Sequence, residues 1–172
     1  QGRIINEGVI SATHQADLNA EKVIENKGKI ETKLGGVALR SQTRVEQHGS
    51  IVSHQGGSFV QAKDKVTQTG ETVAKGDIQY QAKNIEVKSG ALVAAGVTVQ
   101  DTTQGEIRSL DTQHAQGANL TLSAEKTISS KAKHLASGEI NVRAETVDLS
   151  DSQLSGDSIA LQSAQSALNL NK

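Results

Sequence analysis

The chain has 172 residues, a formal net charge of −1 and an aromatic content of 1%, and it contains no Cys, Pro, Met or Trp. The absence of Cys excludes disulfides, thiolate metal sites and cysteine nucleophiles. The interspersed charges argue against a nucleic-acid binder, which needs clustered cations. With Phe59 and Tyr80 as its only aromatic residues, the chain must fill its interior with Val, Ile, Leu and Ala, which suits a narrow, repeating core.

Glycines recur along the chain with a period near twenty, which indicates a repeat protein. They are Gly8, Gly28, Gly49, Gly70, Gly90, Gly117, Gly138 and Gly156. Apolar residues keep the same period. Four positions before a glycine lie Ile4, Ile24, Val45 and Val66. Two positions after a glycine lie Ile10, Ile30, Ile51, Leu92 and Ile140.

Each repeat predicts about three short strands of alternating polarity, as in Leu120-Thr121-Leu122, joined by turns at Gly, Asn or Ser. We therefore predict an all-β fold, a right-handed parallel β-helix of about seven to eight coils of roughly 20 residues each. Residues 1–172 are expected to form a single segment of a longer shaft. The rival architecture, an α-solenoid, needs helical apolar spacing, and only 163–170 offers it.

One repeat is longer than the others, because the glycine that follows Gly90 in the series is Gly117. We assign the surplus to the polar stretch 100–105, as a surface insertion near a junction of two repeat subtypes at 90–116. A tolerated insertion is the simpler interpretation, although loops of this kind often bind partners.

The five histidines, at positions 14, 48, 54, 114 and 134, do not form a regular metal ladder. Counted from the preceding glycine, only His14 and His54 come close to sharing a column, and a whole coil separates them. We therefore predict solvated histidines and no metal site. The calcium-binding nonapeptide pattern is also missing, because Gly35-Gly36 and Gly56-Gly57 are followed by neither the third glycine nor the aspartate.

Two acidic residues, Glu139 and Asp157, each follow a glycine in consecutive repeats and could lie about 5 Å apart, as in retaining glycosidases. A sugar-cleaving groove needs aromatic or basic subsites, and aromatic residues are scarce. Stacked, solvated carboxylates are the preferred interpretation. The Gln-Ala-Lys motif occurs at 61–63 and 81–83, and its lysines are expected on a solvated outer face. We predict no catalytic, cofactor-binding or metal-binding residues.

The repeat units at 117–128, 138–150 and 156–164, such as Gly117-Ala-Asn-Leu-Thr-Leu-Ser-Ala-Glu-Lys-Thr-Ile, resemble filamentous-haemagglutinin repeats. Such repeats build the shafts of large bacterial exoproteins of the two-partner secretion pathway, which include adhesins, haemolysin-type proteins and contact-dependent growth-inhibition effectors. The resemblance implies export through an outer-membrane transporter and display at the cell surface. It also implies that transporter recognition and toxin activity belong to other domains, so no functional residues carry over.

The expected function is structural: a secreted or surface-displayed shaft that presents distal binding or toxin domains in cell adhesion, virulence or growth inhibition. At about 4.8 Å per coil, the segment would reach roughly 35 Å. A receptor- or glycan-binding module, acting through 100–105 or a polar face, is the alternative, and a polysaccharide-active enzyme is a third hypothesis. The expected partners are the transporter, a host or bacterial surface receptor or glycan, and no nucleic acid. End-to-end self-association is expected at Ile4 and Ile5 and at Leu168 and Leu170.

Overall fold

A computed structural model describes residues 2–99 and 117–164, together with the backbone of 168–169. The described chain is all-β, and its strands pair in parallel across two sheets. This confirms the predicted parallel β-helix. Each turn of the chain, here called a coil, stacks on the previous one, and the second sheet has seven strands, one from each of seven coils. The described residues include no helix that could span a membrane.

Three faces run along the solenoid, and the strands are numbered β1 to β20 in chain order. Face one consists of β1 (Arg3–Asn6), β4 (Val23–Asn26), β7 (Arg44–Gln47), β10 (Lys65–Gln68), the second halves of β12 (Ile78–Val87) and β14 (Leu120–Ser130), β17 (Thr146–Asp148) and β20 (Leu168–Asn169). Face two consists of β3 (Ala16–Ala20), β6 (Val37–Ser41), β9 (Ser58–Ala62), the first halves of β12 and β14, β16 (Glu139–Ala144) and β19 (Ser158–Ser163).

Face three is the separate seven-stranded sheet. It consists of β2 (Val9–Ala12), β5 (Lys29–Thr32), β8 (Ser50–Ser53), β11 (Glu71–Ala74), β13 (Ala91–Ala94), β15 (Lys133–Ala136) and β18 (Gln153–Ser155). Faces one and two belong to a single sheet because β12 and β14 run through the corner between them without a break.

The predicted apolar columns form the core. On face one, Ile4 pairs with Ile24, and the column continues through Val45 and Val66 in register. On face three, Ile10, Ile30 and Ile51 follow one another in the same way. Ile140 belongs elsewhere: it pairs with Leu120 and Ile159 on face two. The sequence pattern grouped Ile140 with Ile10 because each lies two positions after a glycine. That grouping was wrong, because the later glycines mark a different corner of the coil from the earlier ones.

The core also contains a buried polar ladder at the corner between faces one and three. The Asn6 side-chain amide donates to Asn26 Oδ1 at 2.8 Å, and the Asn26 amide donates to Gln47 Oε1 at 2.6 Å. One coil further on, the Tyr80 hydroxyl donates to Gln68 Oε1. Because each amide has both a donor and an acceptor, one coil can satisfy the next, which makes these polar groups tolerable inside the solenoid.

The insertion after Gly90 is longer than the spacing of the glycines indicates. On face three, Ile30 pairs with Ile51, whereas Leu92 pairs with His134, which lies twice as far along the chain. The surplus is therefore a whole period of the repeat, and it lies between Ala94 and Leu120. Counting from Gly90 to Gly117 gave too small a surplus because these glycines occupy different corners. The stretch 100–105 lies outside the described residues.

Candidate functional site: a polar groove along one corner

A groove follows the corner where the chain passes from face two to face one. Small side chains form its floor, because each coil ends its face-two strand with Ala or Ser. The floor residues are Ala20, Ser41, Ala62, Ala82 and Ala124. The groove encloses about 610 Å³ over the first five coils. A second section of about 390 Å³ shares Ser123, Ala124 and Glu125 with it and continues onto the sixth and seventh coils.

Polar side chains form the two walls of the groove. The face-two wall carries Asn19, Arg40, Gln61, Gln81 and Ser123. The face-one wall carries Glu21, Gln42, Lys63, Lys83 and Glu125. The two copies of Gln-Ala-Lys therefore lie in consecutive coils, each with an amide on one wall, alanine on the floor and a lysine on the other wall. Gln61 pairs with Gln81 in the strand register, and Lys83 N–H donates to the Lys63 carbonyl at 3.3 Å.

The backbone of this corner is already hydrogen-bonded. The N–H groups of Gln42 and Lys63 donate to the carbonyls of Ala20 and Ser41, at 3.1 and 3.2 Å. The Ser41 hydroxyl donates to the Lys22 carbonyl at 2.8 Å. Since these N–H groups are used by the stack of coils, a ligand that accepts hydrogen bonds here must find its donors among the side chains.

The charges of the groove are distributed unevenly. Arg40 donates to Asp17 at 2.8 Å, and its guanidinium carbon lies 5.2 Å from the centre of the Phe59 ring. Lys63 and Lys83, by contrast, are exposed and form no ion pair within the described parts of the chain. These two lysines therefore lie side by side on the groove wall, and no acidic group of the described residues neutralises them.

The outer side of face one carries a second charged cluster. Ligand atoms of Glu25, Glu46 and His48 lie within 4.8 Å of one another. The protein's own groups already contact all three: Lys27 Nζ lies 3.3 Å from Glu25, Arg44 Nε lies 3.8 Å from Glu46, and His48 Nδ1 lies 2.8 Å from the Thr69 hydroxyl. The hydrogen bond from Lys27 to Glu25, assisted by Glu7, raises the pKa of Lys27. We therefore assign these carboxylates to ion pairs along the stack.

The prediction of solvated histidines was wrong for His134. His134 is buried in the face-three column between Leu92 and Leu154. Its Nε2 lies 2.7 Å from the Ser130 hydroxyl, and its Nδ1 has no hydrogen-bond partner among the described residues. Burial lowers the pKa of His134 to about 4, so the ring is neutral at pH 7. Its distance from the preceding glycine could not show which way the side chain faces.

The other histidines differ from one another. His14 and His48 are exposed. His14 lies two positions beyond β2 and His54 directly follows β8, so they are out of register. His54 is partly buried: its Nε2 lies 2.8 Å from Glu31 Oε2, and its Nδ1 faces the Val99 carbonyl. The hydrogen bond from His54, followed by that from Lys29, lowers the pKa of Glu31. His114 lies outside the described residues.

His54 helps to hold the start of the long insertion against the outside of face three. The Val99 N–H donates to the His54 carbonyl at 3.0 Å, although Val99 is more than two coils away along the chain. Val99 and Ala95 pack on outward-facing Val52, Val73 and Val93 in a second apolar cluster. This outer cluster was missed, and the run Ala91-Leu92-Val93-Ala94-Ala95 could have revealed it, because continuous apolar strands are typical of sheets covered on both sides.

The proposed carboxylate pair is not in register. Glu139 pairs with Ser158, and the Asp157 N–H donates to the Gly138 carbonyl at 2.9 Å. Asp157 therefore lies opposite Gly138, one position away from Glu139. Glu139 accepts a hydrogen bond from the Asn141 amide at 3.2 Å. The register thus does not place the two carboxylates side by side, as the glycosidase hypothesis required.

Comparison with known proteins gives no match: no family model, no curated protein and no solved structure resembles the chain at a significant level.

Proposed function

We propose that the chain is a shaft segment that holds other domains of a longer protein at a distance. The observation that carries this proposal is the unbroken stack of seven coils, in which every face-three strand pairs with the strand one coil away. Stacked coils add about 4.8 Å of length each, and each coil is stabilised mainly by its neighbours. Length can therefore change by whole coils without loss of the fold.

The biological setting that we propose follows from the resemblance of the repeats to filamentous-haemagglutinin repeats. In this setting the parent protein is secreted by the two-partner pathway, is displayed at the bacterial surface and acts in adhesion or contact-dependent inhibition. The proposed partners are the outer-membrane transporter and a surface receptor or glycan on a host or neighbouring cell. We further propose that the segment itself is not an enzyme, and the misaligned Glu139 and Asp157 support this view.

Removal of one coil in register tests the shaft role. Deletion of residues 23–43 joins Lys22 to Arg44 and stacks β7 on β1, because Arg3 and Arg44 both pair with Val23. We expect the parent protein carrying this deletion to be secreted, displayed and active in adhesion or inhibition. The control is deletion of 23–32, which removes β4 and β5 but leaves β6. It should abolish display, because later strands then meet the wrong faces.

Loss of adhesion or inhibition by the in-register variant, with normal display and folding, would contradict the shaft proposal. That result would instead favour a binding module within the segment. The polar groove is the observation that favours this second candidate. Incubation of the chain with acidic polysaccharides, followed by an assay for new reducing ends or unsaturated sugars, tests the enzyme hypothesis, and we expect no cleavage.

A further inference from the structure

The corner groove has the properties of a recognition site for an extended polar chain. It continues over several coils, its floor of alanine and serine leaves space, and its walls repeat at the spacing of the coils. The side-chain amides of Asn19, Gln42, Gln61 and Gln81 line its length. An amide offers both donors and an acceptor, which is the complement that sugar hydroxyl groups require.

The backbone of the corner argues against an extended peptide as the occupant. Peptides that bind to sheets usually add a strand to a free edge, through main-chain hydrogen bonds. In this groove, the N–H groups of Gln42, Lys63 and Lys83 already donate to carbonyls of neighbouring coils. A peptide would find no free edge at these positions, whereas a polysaccharide needs only the side chains of the walls.

The charges along the face-one wall define where an anionic group can lie. The wall residues in coils one to five are Glu21, Gln42, Lys63, Lys83 and Glu125. Both lysines are exposed and lack ion-pair partners in the described chain, while the acidic residues bound them on either side. A negative group is therefore attracted to the two lysines and repelled by the acidic residues on either side of them.

We propose that the groove binds a polysaccharide in which a carboxylate or sulfate is flanked by uncharged sugars. The anionic group lies between the ammonium groups of Lys63 and Lys83, and Gln61 and Gln81 on the opposite wall hydrogen-bond to hydroxyl groups. A densely charged polymer is disfavoured, because its neighbouring anionic groups would meet Glu21 and Glu125. This proposal goes beyond the shaft function, which stands whether or not the groove is occupied.

Binding of defined oligosaccharides to the 172-residue chain tests the proposal. The probes are hyaluronan oligosaccharides, with carboxylates on alternate sugars, keratan sulfate oligosaccharides, with sulfates and no carboxylate, neutral dextran oligosaccharides, and densely sulfated heparin oligosaccharides. We expect hyaluronan or keratan sulfate to bind at least about tenfold more tightly than dextran or heparin. Which of the two binds identifies the anionic group. Added salt should weaken binding, because exposed charges are screened.

The matched variants separate this site from general surface charge. In Lys63→Gln/Lys83→Gln, the affinity should fall by about tenfold. In the control Lys33→Gln/Lys88→Gln, which removes the same charge from two exposed lysines outside the groove, the affinity should stay within about twofold. Circular dichroism should be unchanged in both. Absence of binding by the native chain, equal losses in the two variants, or preferential binding of heparin would overturn the proposal.

The flanking acidic residues supply an independent check. In Glu21→Gln/Glu125→Gln, the repulsion on either side of the two lysines is removed. Heparin binding should therefore rise severalfold, while binding of hyaluronan or keratan sulfate changes little. Unchanged exclusion of heparin in this variant would contradict the role given to the two carboxylates.

Discussion

Several interior polar residues lie where an adjacent coil or turn satisfies part of their hydrogen-bonding capacity. The ladder of Asn6, Asn26 and Gln47 does so by amide-to-amide bonds between coils. His134 is a less complete case, because among the described residues Ser130 satisfies only one of its ring nitrogens. A buried imidazole in this situation resists protonation, since the charged form would lose its hydration. This residue should therefore make the stability of the fold depend on pH.

The substitution His134→Leu should remove this pH dependence. Leucine suits the position because the neighbours in the column are Leu92 and Leu154. The pKa of His134 is lowered from 6.5 to about 4 in the folded protein. The unfolded chain therefore binds the proton first, and native stability falls as the pH drops from about 6.5 to about 4. The loss should total about 3 kcal/mol and should be absent in the variant.

Urea unfolding at pH 7 and pH 4 measures this effect as the difference between the native chain and His134→Leu. Carboxylates also titrate in this range, but they are common to both proteins. His14→Gln is the control, because His14 is exposed. The His14→Gln variant should retain the full dependence of its unfolding free energy on pH. Equal pH dependence in the native chain and His134→Leu would mean that His134 is accessible to protons in the folded state.

Among the structural elements, the corner between faces one and three depends on close approach of the main chain. An added Cβ at Gly49 would lie 1.9 Å from the Gly28 carbonyl oxygen, and one at Gly70 would lie 1.8 Å from the Gly49 carbonyl oxygen. Neither Gly49 nor Gly70 has a positive φ. The requirement at these two positions is therefore space between coils, and not an unusual backbone angle.

Gly49→Ala should therefore be strongly destabilising, by about 3 kcal/mol, because two backbones must move apart. Gly8→Ala is the matched control: it lies in the same glycine column, and nothing lies within 4 Å of its added Cβ. Its effect should stay within about 0.5 kcal/mol. Chemical denaturation of both variants checks the difference. Similar stabilities would show that the corner can widen at little cost.

Across the whole molecule, the first coil has neighbours on one side only within the described chain. Strands β1, β2 and β3 each pair with a single strand of the second coil. Ile5 and Val9 on this coil are exposed, at 49% and 69% of their full area. Open strand edges next to apolar side chains favour association with further strands.

We therefore predict that the isolated 172-residue chain self-associates through its end coils in a concentration-dependent manner. Sedimentation velocity measures this association. Addition of a polar capping coil to each end should abolish it, because the caps cover both the strand edges and the core. The double substitution Ile5→Lys/Val9→Lys, placed on the first coil, should weaken it. Association that persists with both caps in place would indicate a contact through a side face.

The sequence by itself determined the architecture and much of the core. The columns of Ile4, Ile24 and Val45 and of Ile10, Ile30 and Ile51 lie in register, as their period predicted. The reason is physical: a coil buries its apolar side chains only against its neighbours, so the pattern must repeat with the length of the coil. Alternation of polarity within each strand then fixes which side chains face inward.

Only the tertiary structure decided the register across the long insertion and in the coils after it, and it alone showed the sites. A glycine marks a corner but does not say which corner, so Gly117 was matched to Gly90 and the length of the insertion was underestimated. The burial of His134, the separation of Glu139 from Asp157, and the groove around Lys63 and Lys83 all depend on which residues lie one coil apart. Parallel pairing between coils is a non-local contact, and a shift of one residue changes every neighbour. The spacing of glycines does not carry that information where the length of the coil changes.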